Sequence, residues 1–534
     1  MFHEPTKRRL SWVAAVVVTL VFVLLIGEKY EGPIIRARIE SSMNRSLVGY
    51  KTTLESARLR FFDGTLFLYG LAVVQDAHPR PPVITIPMLR ISIQWRELLW
   101  GKVVADCLIS QPIASINLTQ LSSERSSKRS VRQEGWQQAL ESIYPFKINK
   151  FSIQDGNITY IDTDPSRPIK LEHLQIVADN IRNIHAPENR YPSPIHLDTV
   201  VFGTGHASLD GHANFLAVPL PGVLTQYSID RVPLAPFGPA IQRVNLRVKS
   251  GTVSSTGTLE YAPNIKRAEV NRLSIDGVQL TYIHTPQTAA AEAARATTIK
   301  RGAEEVNNKQ GLLLKIQDLS IANSLFTYSN DDSDHLYALY MAGVNAHLSN
   351  LSNHSNEGAS AIDLNGRFMG SGDTRLTGTF RPQKQGPDFN LNMSVQNTDL
   401  PSLNDLFRAY GRFDVQSGKV SVFSQTTVTR GAITGYIKTL FSNVVVYDRN
   451  KDANKPILHQ AYELMIGGAA KLLKNGSSQK VATEVSLNGK LDKPNTSTWE
   501  ALVELLHNAF INAIEPGFDH EIGAMAPSTG PKQQ

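Results

Sequence analysis

The side chains whose types and spacing could do chemistry are few. His206, Asp210 and His212 fall on one face of a strand by parity and offer the nitrogen and oxygen donors of a metal site, but no fourth ligand stands near them. Asp331, Asp332, Asp334 and His335 form an acidic cluster that lacks the glycine and distal glutamate of a calcium loop, so it reads as a turn. GRFMGSG, from Gly366 to Gly372, lacks the GK[ST] ending of a phosphate loop, and Gly203-Thr204-Gly205 is weaker still. Neither G-x-S-x-G nor H-E-x-x-H occurs. The expectation is a protein that is not an enzyme and carries no metal or cofactor; a metal-dependent hydrolase around His206 and His212 is the remote alternative.

The elements that must position these side chains are strands. FSIQDGNITY (Phe151 to Tyr160) recurs without a gap as LSIDGVQLTY (Leu273 to Tyr282) and LSIANSLFTY (Leu319 to Tyr328), with a looser copy, FDVQSGKVSV, from Phe413 to Val422. Ile148, Val270 and Ile316 stand three residues before the three close copies. Alternation on both sides of a small polar centre predicts a β-hairpin or strand-turn-strand step, stacked several times.

Composition fits a folded chain: of 534 residues, 41% are hydrophobic and 19% charged, and a single cysteine, Cys107, excludes intramolecular disulfides. The net charge of +6 is concentrated at the start, where residues 1–60 hold ten Lys or Arg against five Asp or Glu. That distribution disfavours a nucleic-acid groove.

Leu10 to Ile26 (LSWVAAVVVTLVFVLLI) is uncharged and mostly apolar, near the shortest length that crosses a bilayer as a helix. Lys7, Arg8 and Arg9 before it predict a cytoplasmic tail (1–9), one span (10–26) and export of the remainder. No small-x-small cleavage site follows, which favours an anchor over a signal peptide. Pro33 opens an expected amphipathic helix within 28–49, with Ile35, Ile39, Met43 and Leu47 on one face. Strands are expected over 50–284 and 312–496, separated by an alanine-rich helical or flexible insert (285–311). Leu121 to Gly135 reads as a mobile loop, and Trp136 to Ile143 and Tyr462 to Lys474 as helices. A capping helix is expected at 497–516, opened by Ser497-Thr-Trp-Glu500, before a disordered tail (517–534).

Three segments carry a family resemblance: DLPSLNDLFRAYGRFDVQSG (Asp399 to Gly418), with a short helix capped by Ser402; ARLRFFDGTLFLYGLAV (Ala57 to Val73) behind the span; and VSLNGKLDKPNTSTWEALVELLHNAFINAIEPG (Val485 to Gly517). In these the chain resembles the AsmA-like family of inner-membrane-anchored periplasmic proteins, similar to bridge-like lipid transfer proteins. The resemblance implies a mainly β fold in which a single transmembrane helix precedes an elongated, curved antiparallel gutter of repeated hairpins with capping helices. It implies phospholipid carried toward the outer membrane of a bacterial cell, the inner membrane as anchor, and an envelope protein partner at the far end. The expected groove lining is Ile153, Ile158 and Tyr160, Ile275, Leu280 and Tyr282, Ile321, Phe326 and Tyr328, and Val415, Val420 and Val422, while Ser152, Gln154 and Thr159 meet water. About twenty strands would give a groove on the order of 100 Å. The same alternation fits a closed sandwich, and a scaffold acting through protein contacts is the alternative function.

Overall fold

The computed structural model describes residues 32–490 except 46, 48, 61–62, 95–103, 121–146, 162–167, 182–189, 216–221, 263, 333–335, 382–387, 412–413 and 448–479. The tail and span expected over 1–26, the loop at 121–135, the helices expected at 136–143, 462–474 and 497–516, and the tail after 516 lie outside the described residues. Among the described residues no helix is long and apolar enough to cross a membrane. The fold is mainly β, a mixed sheet of 21 strands, and the chain divides into two units.

In the first unit, β1 (Tyr50–Thr53) and β2 (Ser56–Arg60) pair with β3 (Thr65–Gln75), followed by β4 (Ile84–Ile93) and β5 (Val104–Ser110), all antiparallel. β5 and β6 (Ile113–Asn117) both run parallel to β7 (Lys147–Ile161), which holds the first repeat copy. An antiparallel series continues through β8 (Ile169–Ala178), β9 (Ser193–Val201), β10 (Gly205–Asn214) and β11 (Gly222–Pro233). A helix over 32–45, α1, covers the first strands. Its Ile39 and Met43 are each 5% exposed and pack with Leu54, Leu66, Leu68 and Ile91, with Ile35 and Leu47 beside them. The Asn44 amide fixes α1 to β1, donating to the Thr52 carbonyl (3.1 Å) and accepting from its N–H (2.6 Å).

β12 (Leu246–Ala262) is shared between the units and follows a five-residue helix, α2 (Gly238–Gln242). In the second unit β13 (Ile265–His284) and β14 (Leu312–Asn330), carrying the second and third copies, are parallel. A parallel pair needs a connection that runs back along the strands. The alanine-rich stretch supplies it as α3 (Ala289–Val306), whose 18 residues cover about 27 Å at 1.5 Å each. An antiparallel meander completes the unit: β15 (Tyr337–Ser352), β16 (Ser360–Phe368), β17 (Gly372–Arg381), β18 (Asp388–Asp399), β19 (Asp414–Thr429), β20 (Ala432–Tyr447) and β21 (Lys480–Lys490). Arg430 and Gly431, both at positive φ, make the two-residue loop between β19 and β20, the turn whose twist matches a hairpin.

Two expectations are corrected here. The sheet is mixed, because β13 and β14, with the second and third copies, pair in parallel and β7, with the first copy, runs parallel to β5 and β6, whereas an antiparallel sheet was expected. Hairpins do join successive strands, but the small polar centre of each repeat is not their turn. It is a bulge inside one long strand. The fifth residue of each close copy sits in the left-handed region: Asp155 (φ 54), Gly277 (φ 61) and Asn323 (φ 50). Asp, Gly and Asn tolerate that conformation at least cost. Neighbouring strands bend at the same level, through Gln111 (φ 52) and His173 (φ 54) beside Asp155, and Gly343 (φ 57) beside Asn323. The pairing registers shift there, between Ile153 and Ile158 and between Ile321 and Phe326. Asp-Gly reads as a turn from sequence because a tight turn and a left-handed bulge demand the same residue types.

Candidate functional site

The bulge decides which side chains share a face. In an unbroken strand, the third and eighth residues of the repeat would point to opposite sides; one extra residue reverses the parity. Ile153 and Ile158, Ile275 and Leu280, and Ile321 and Phe326 are thereby brought to one face. The parallel register then stacks like on like: Leu273 opposite Leu319, Ile275 opposite Ile321, Leu280 opposite Phe326, and Tyr282 opposite Tyr328.

Strand by strand, the pairing builds an apolar row across the first unit. Leu68 of β3 stands opposite Leu89, Leu89 opposite Ile109, and Ile109 opposite Ile153. Ile153 is paired in turn with Ile176, Ile176 with Leu197, Leu197 with Leu209, and Leu209 with Tyr227 of β11. No charge interrupts it. Leu68 is sealed at 2% exposure, whereas Leu89 through Tyr227 are half-buried. Beyond the bulge Ile158 lies between Ala114 and Leu171, and Tyr160 between Ile169 and Ile116, which is 40% exposed.

The second unit repeats the pattern. Ile275, Ile321, Ala346, Leu364, Leu376 and Met393 are consecutive partners across β13 to β18. The row is half-buried at Ile275 and Ile321, and closes toward Leu376 (7%) and Met393 (8%). There the looser copy departs from the expectation. Val415, Val420 and Val422 do not line an open groove: they are 1, 6 and 5% exposed, inside a packed core with Leu400, Leu403 and Phe407. The cause is α4 (Asn404–Gly411), which lies on this face and is fixed by Asn404, its amide donating to the Val415 carbonyl (3.0 Å) and accepting from the Val415 N–H (2.8 Å). Ser402, expected as the helix cap, instead donates to the Asp399 carbonyl (2.5 Å).

The opposite face is more polar, though it carries Leu108 and Val177. Gln154 is exposed as expected, but Ser152 is only 8% exposed, between Leu108 and Val177, and Thr159 is half-buried. His206 and Asp210 are engaged in cross-strand contacts, His206 Nε2 with Asp198 Oδ2 (3.0 Å) and Asp210 Oδ1 with His196 Nδ1 (2.5 Å). His173 makes the same contact with Asp155 at the bulge (2.7 Å), and that hydrogen bond, with a second from Gln111, holds the Asp155 carboxyl below its usual range. Among the described residues no three His, Cys, Asp or Glu side chains gather as metal ligands would.

At the far end of β13 and β14 the apolar face turns polar. The Tyr282 and Tyr328 rings stack at 5.9 Å, and Tyr337 lies 6.1 Å from Tyr328. Glu292 of α3 reaches over them, with His284 Nδ1 at 2.8 Å, Thr288 Oγ1 at 2.5 Å and Asn245 Nδ2 at 2.8 Å. Burial and the neighbouring Glu292 push the Tyr282 hydroxyl up to about 12. Burial pushes Glu292 up as well, but hydrogen bonds from Thr288, His284 and Tyr282 outweigh it and hold the carboxyl below its usual range.

Sequence reasoning missed most of the row, Leu89, Ile109, Ile176, Leu197 and Leu209, although each sits in an alternating strand. It also missed Asn245 and Glu292, which carry no local signal because 47 residues separate them. No protein-family model and no curated protein matches the chain, so its residues and their geometry alone carry the reading of this site.

Proposed function

We propose that the chain is an envelope protein, anchored through Leu10 to Ile26, that holds or conducts phospholipid along the apolar face of its sheet. The observation that carries this reading is the half-buried row from Leu89 to Tyr227, uninterrupted by charge over seven strands. Strands about 4.8 Å apart give that row about 29 Å. An acyl chain, about half of a 30 Å hydrocarbon core, needs roughly 15 Å. An exposed apolar surface of this extent is stable in water when something covers it. Each methylene moved from water onto the row gains about 0.8 kcal/mol, which keeps a chain in place without a catalytic group. Resemblance to the AsmA-like proteins agrees with this function and adds the inner membrane as anchor and the outer membrane as destination. The helix-covered cores under α1 and α4 serve as closed ends within each unit, with the repeat strands as the accommodating part.

Photocrosslinking tests the reading. A photoreactive side chain at Ile176, in the full-length protein in native membranes, is expected to yield phospholipid adducts by mass spectrometry, and one at Gln154 on the opposite face few or none. Equal labelling at both positions, or none at Ile176, would overturn it.

A further inference from the structure

On the reading that acyl chains lie on the apolar rows, the polar end of β13 and β14 is where a headgroup meets the protein. The side chain that stands out there is Arg295 of α3. Its Nη2 donates to Asn245 Oδ1 (2.7 Å) and its Nη1 to the Arg243 carbonyl (3.4 Å). Asn245 is itself fixed, its amide donating to Glu292 Oε1 (2.8 Å) and to the Ile283 carbonyl (2.9 Å). Arg295 is thus held at one end by neutral acceptors, and a guanidinium with five N–H donors keeps three for another partner. The adjacent carboxylate does not compete for them, because Thr288, Asn245 and His284 occupy the Glu292 oxygens.

A hydrogen-bond chain ties Arg295 to the end of the row in which Tyr282, Leu280 and Ile275 follow one another: Asn245 bonds both Arg295 (2.7 Å) and Glu292 (2.8 Å), and Glu292 accepts from the Tyr282 hydroxyl. A cation fixed beside the end of an apolar strip matches an amphiphile with an anionic group next to its chains. The guanidinium fork suits phosphate oxygens in particular.

We infer that Arg295, positioned by Asn245 and Glu292, binds the phosphate of a phospholipid whose chains lie on the Ile275 and Ile321 row. The preference is for the phosphate and not for the group esterified to it, since Arg295 is the cation that the described residues fix at this apolar boundary.

Two probes with identical chains separate this inference from the reading it rests on. The full-length protein, purified in detergent and stripped of lipid, is offered dioleoyl phosphatidic acid or dioleoylglycerol, and retained lipid is quantified by mass spectrometry. Phosphatidic acid should be retained about tenfold more tightly, as a charge-assisted hydrogen bond implies. Arg295→Gln should remove that preference with the thermal midpoint unchanged, and Arg295→Lys should keep part of it. Equal retention of the two lipids by the wild-type protein, or undiminished preference in Arg295→Gln, would overturn the inference while leaving chain binding intact. Retention of neither lipid would overturn chain binding and the inference with it. Thermal stabilisation by inorganic phosphate alone would reassign Arg295 to a soluble anion and overturn it too.

Discussion

Tyr282 and Tyr328 occupy the same offset in two copies of one repeat and face each other across a parallel ladder, with ring centroids 5.9 Å apart and planes inclined by 14°. Tyr328 also meets Tyr337 and His284, so it is the centre of the stack. Tyr328→Ala should cost about 2–3 kcal/mol and Tyr328→Phe less than about 1 kcal/mol, because the ring carries most of the contact. A double-mutant cycle of Tyr282→Ala with Tyr328→Ala should give a coupling of about 1 kcal/mol. Urea denaturation read by hydrogen exchange in β13 and β14 measures both.

The bulge at Asn323 makes a sharper prediction. Asn323→Val forces a β-branched residue to φ 50 and removes the amide that donates to Asp276 Oδ1, so a loss of at least about 1–2 kcal/mol is expected. Asn323→Gly keeps the conformation and should cost less than about 1 kcal/mol. Deleting Asn323 should be worst. It takes out the extra residue, and Phe326 and Tyr328 then face the wrong side. Thermal unfolding of the three variants should rank them Gly, Val, deletion.

That same bulge shows what the sequence could and could not reveal. Alternation and the Ser, Ile, Thr and Tyr offsets identified the strands and their repetition, and Ile35, Ile39 and Met43 marked the buried face of α1, with Leu47 just past its end. The Asp-Gly centre misled, since turn and bulge share one chemistry. Pairing direction was invisible because it depends on where the connecting chain runs, and α3 had no expected partner. Val415, Val420 and Val422 looked like their counterparts, yet α4 covers them. Cross-strand pairs such as His196 with Asp210 need a register that no local pattern supplies.

The Tyr282 and Glu292 pair should shape stability against pH at both extremes. Tyr282 titrates at about 12 in the fold, above an ordinary phenol. The raised value means its contribution is complete below about pH 10 and lost as pH rises toward 12. Glu292 is shifted down, so its contribution is present above the usual carboxylate range and lost as pH falls through its lowered value. Tyr282→Phe should flatten the alkaline limb of a stability profile and Glu292→Gln the acid limb. Because each group sets part of the other's shift, each variant should also soften its partner's limb, and thermal midpoints between pH 3 and 12 check both limbs.

Sealed and half-buried parts of the apolar face should respond oppositely to substitution. Leu400, fully buried beneath α4, has no room to relax, so Leu400→Ala should cost about 2–5 kcal/mol. Lipid adducts formed at Ile176, in the other unit, should be unchanged by it. Leu197→Asp places a carboxylate in the half-buried row next to Ile176, where water can still solvate it, so its cost to folding should be the smaller one. An acyl chain in that row would have to desolvate the charge, so adducts at Ile176 should fall about tenfold or more. If Leu197→Asp left those adducts intact, whatever labels Ile176 would not lie along the row, and the proposed acyl path over Leu197 would be refuted.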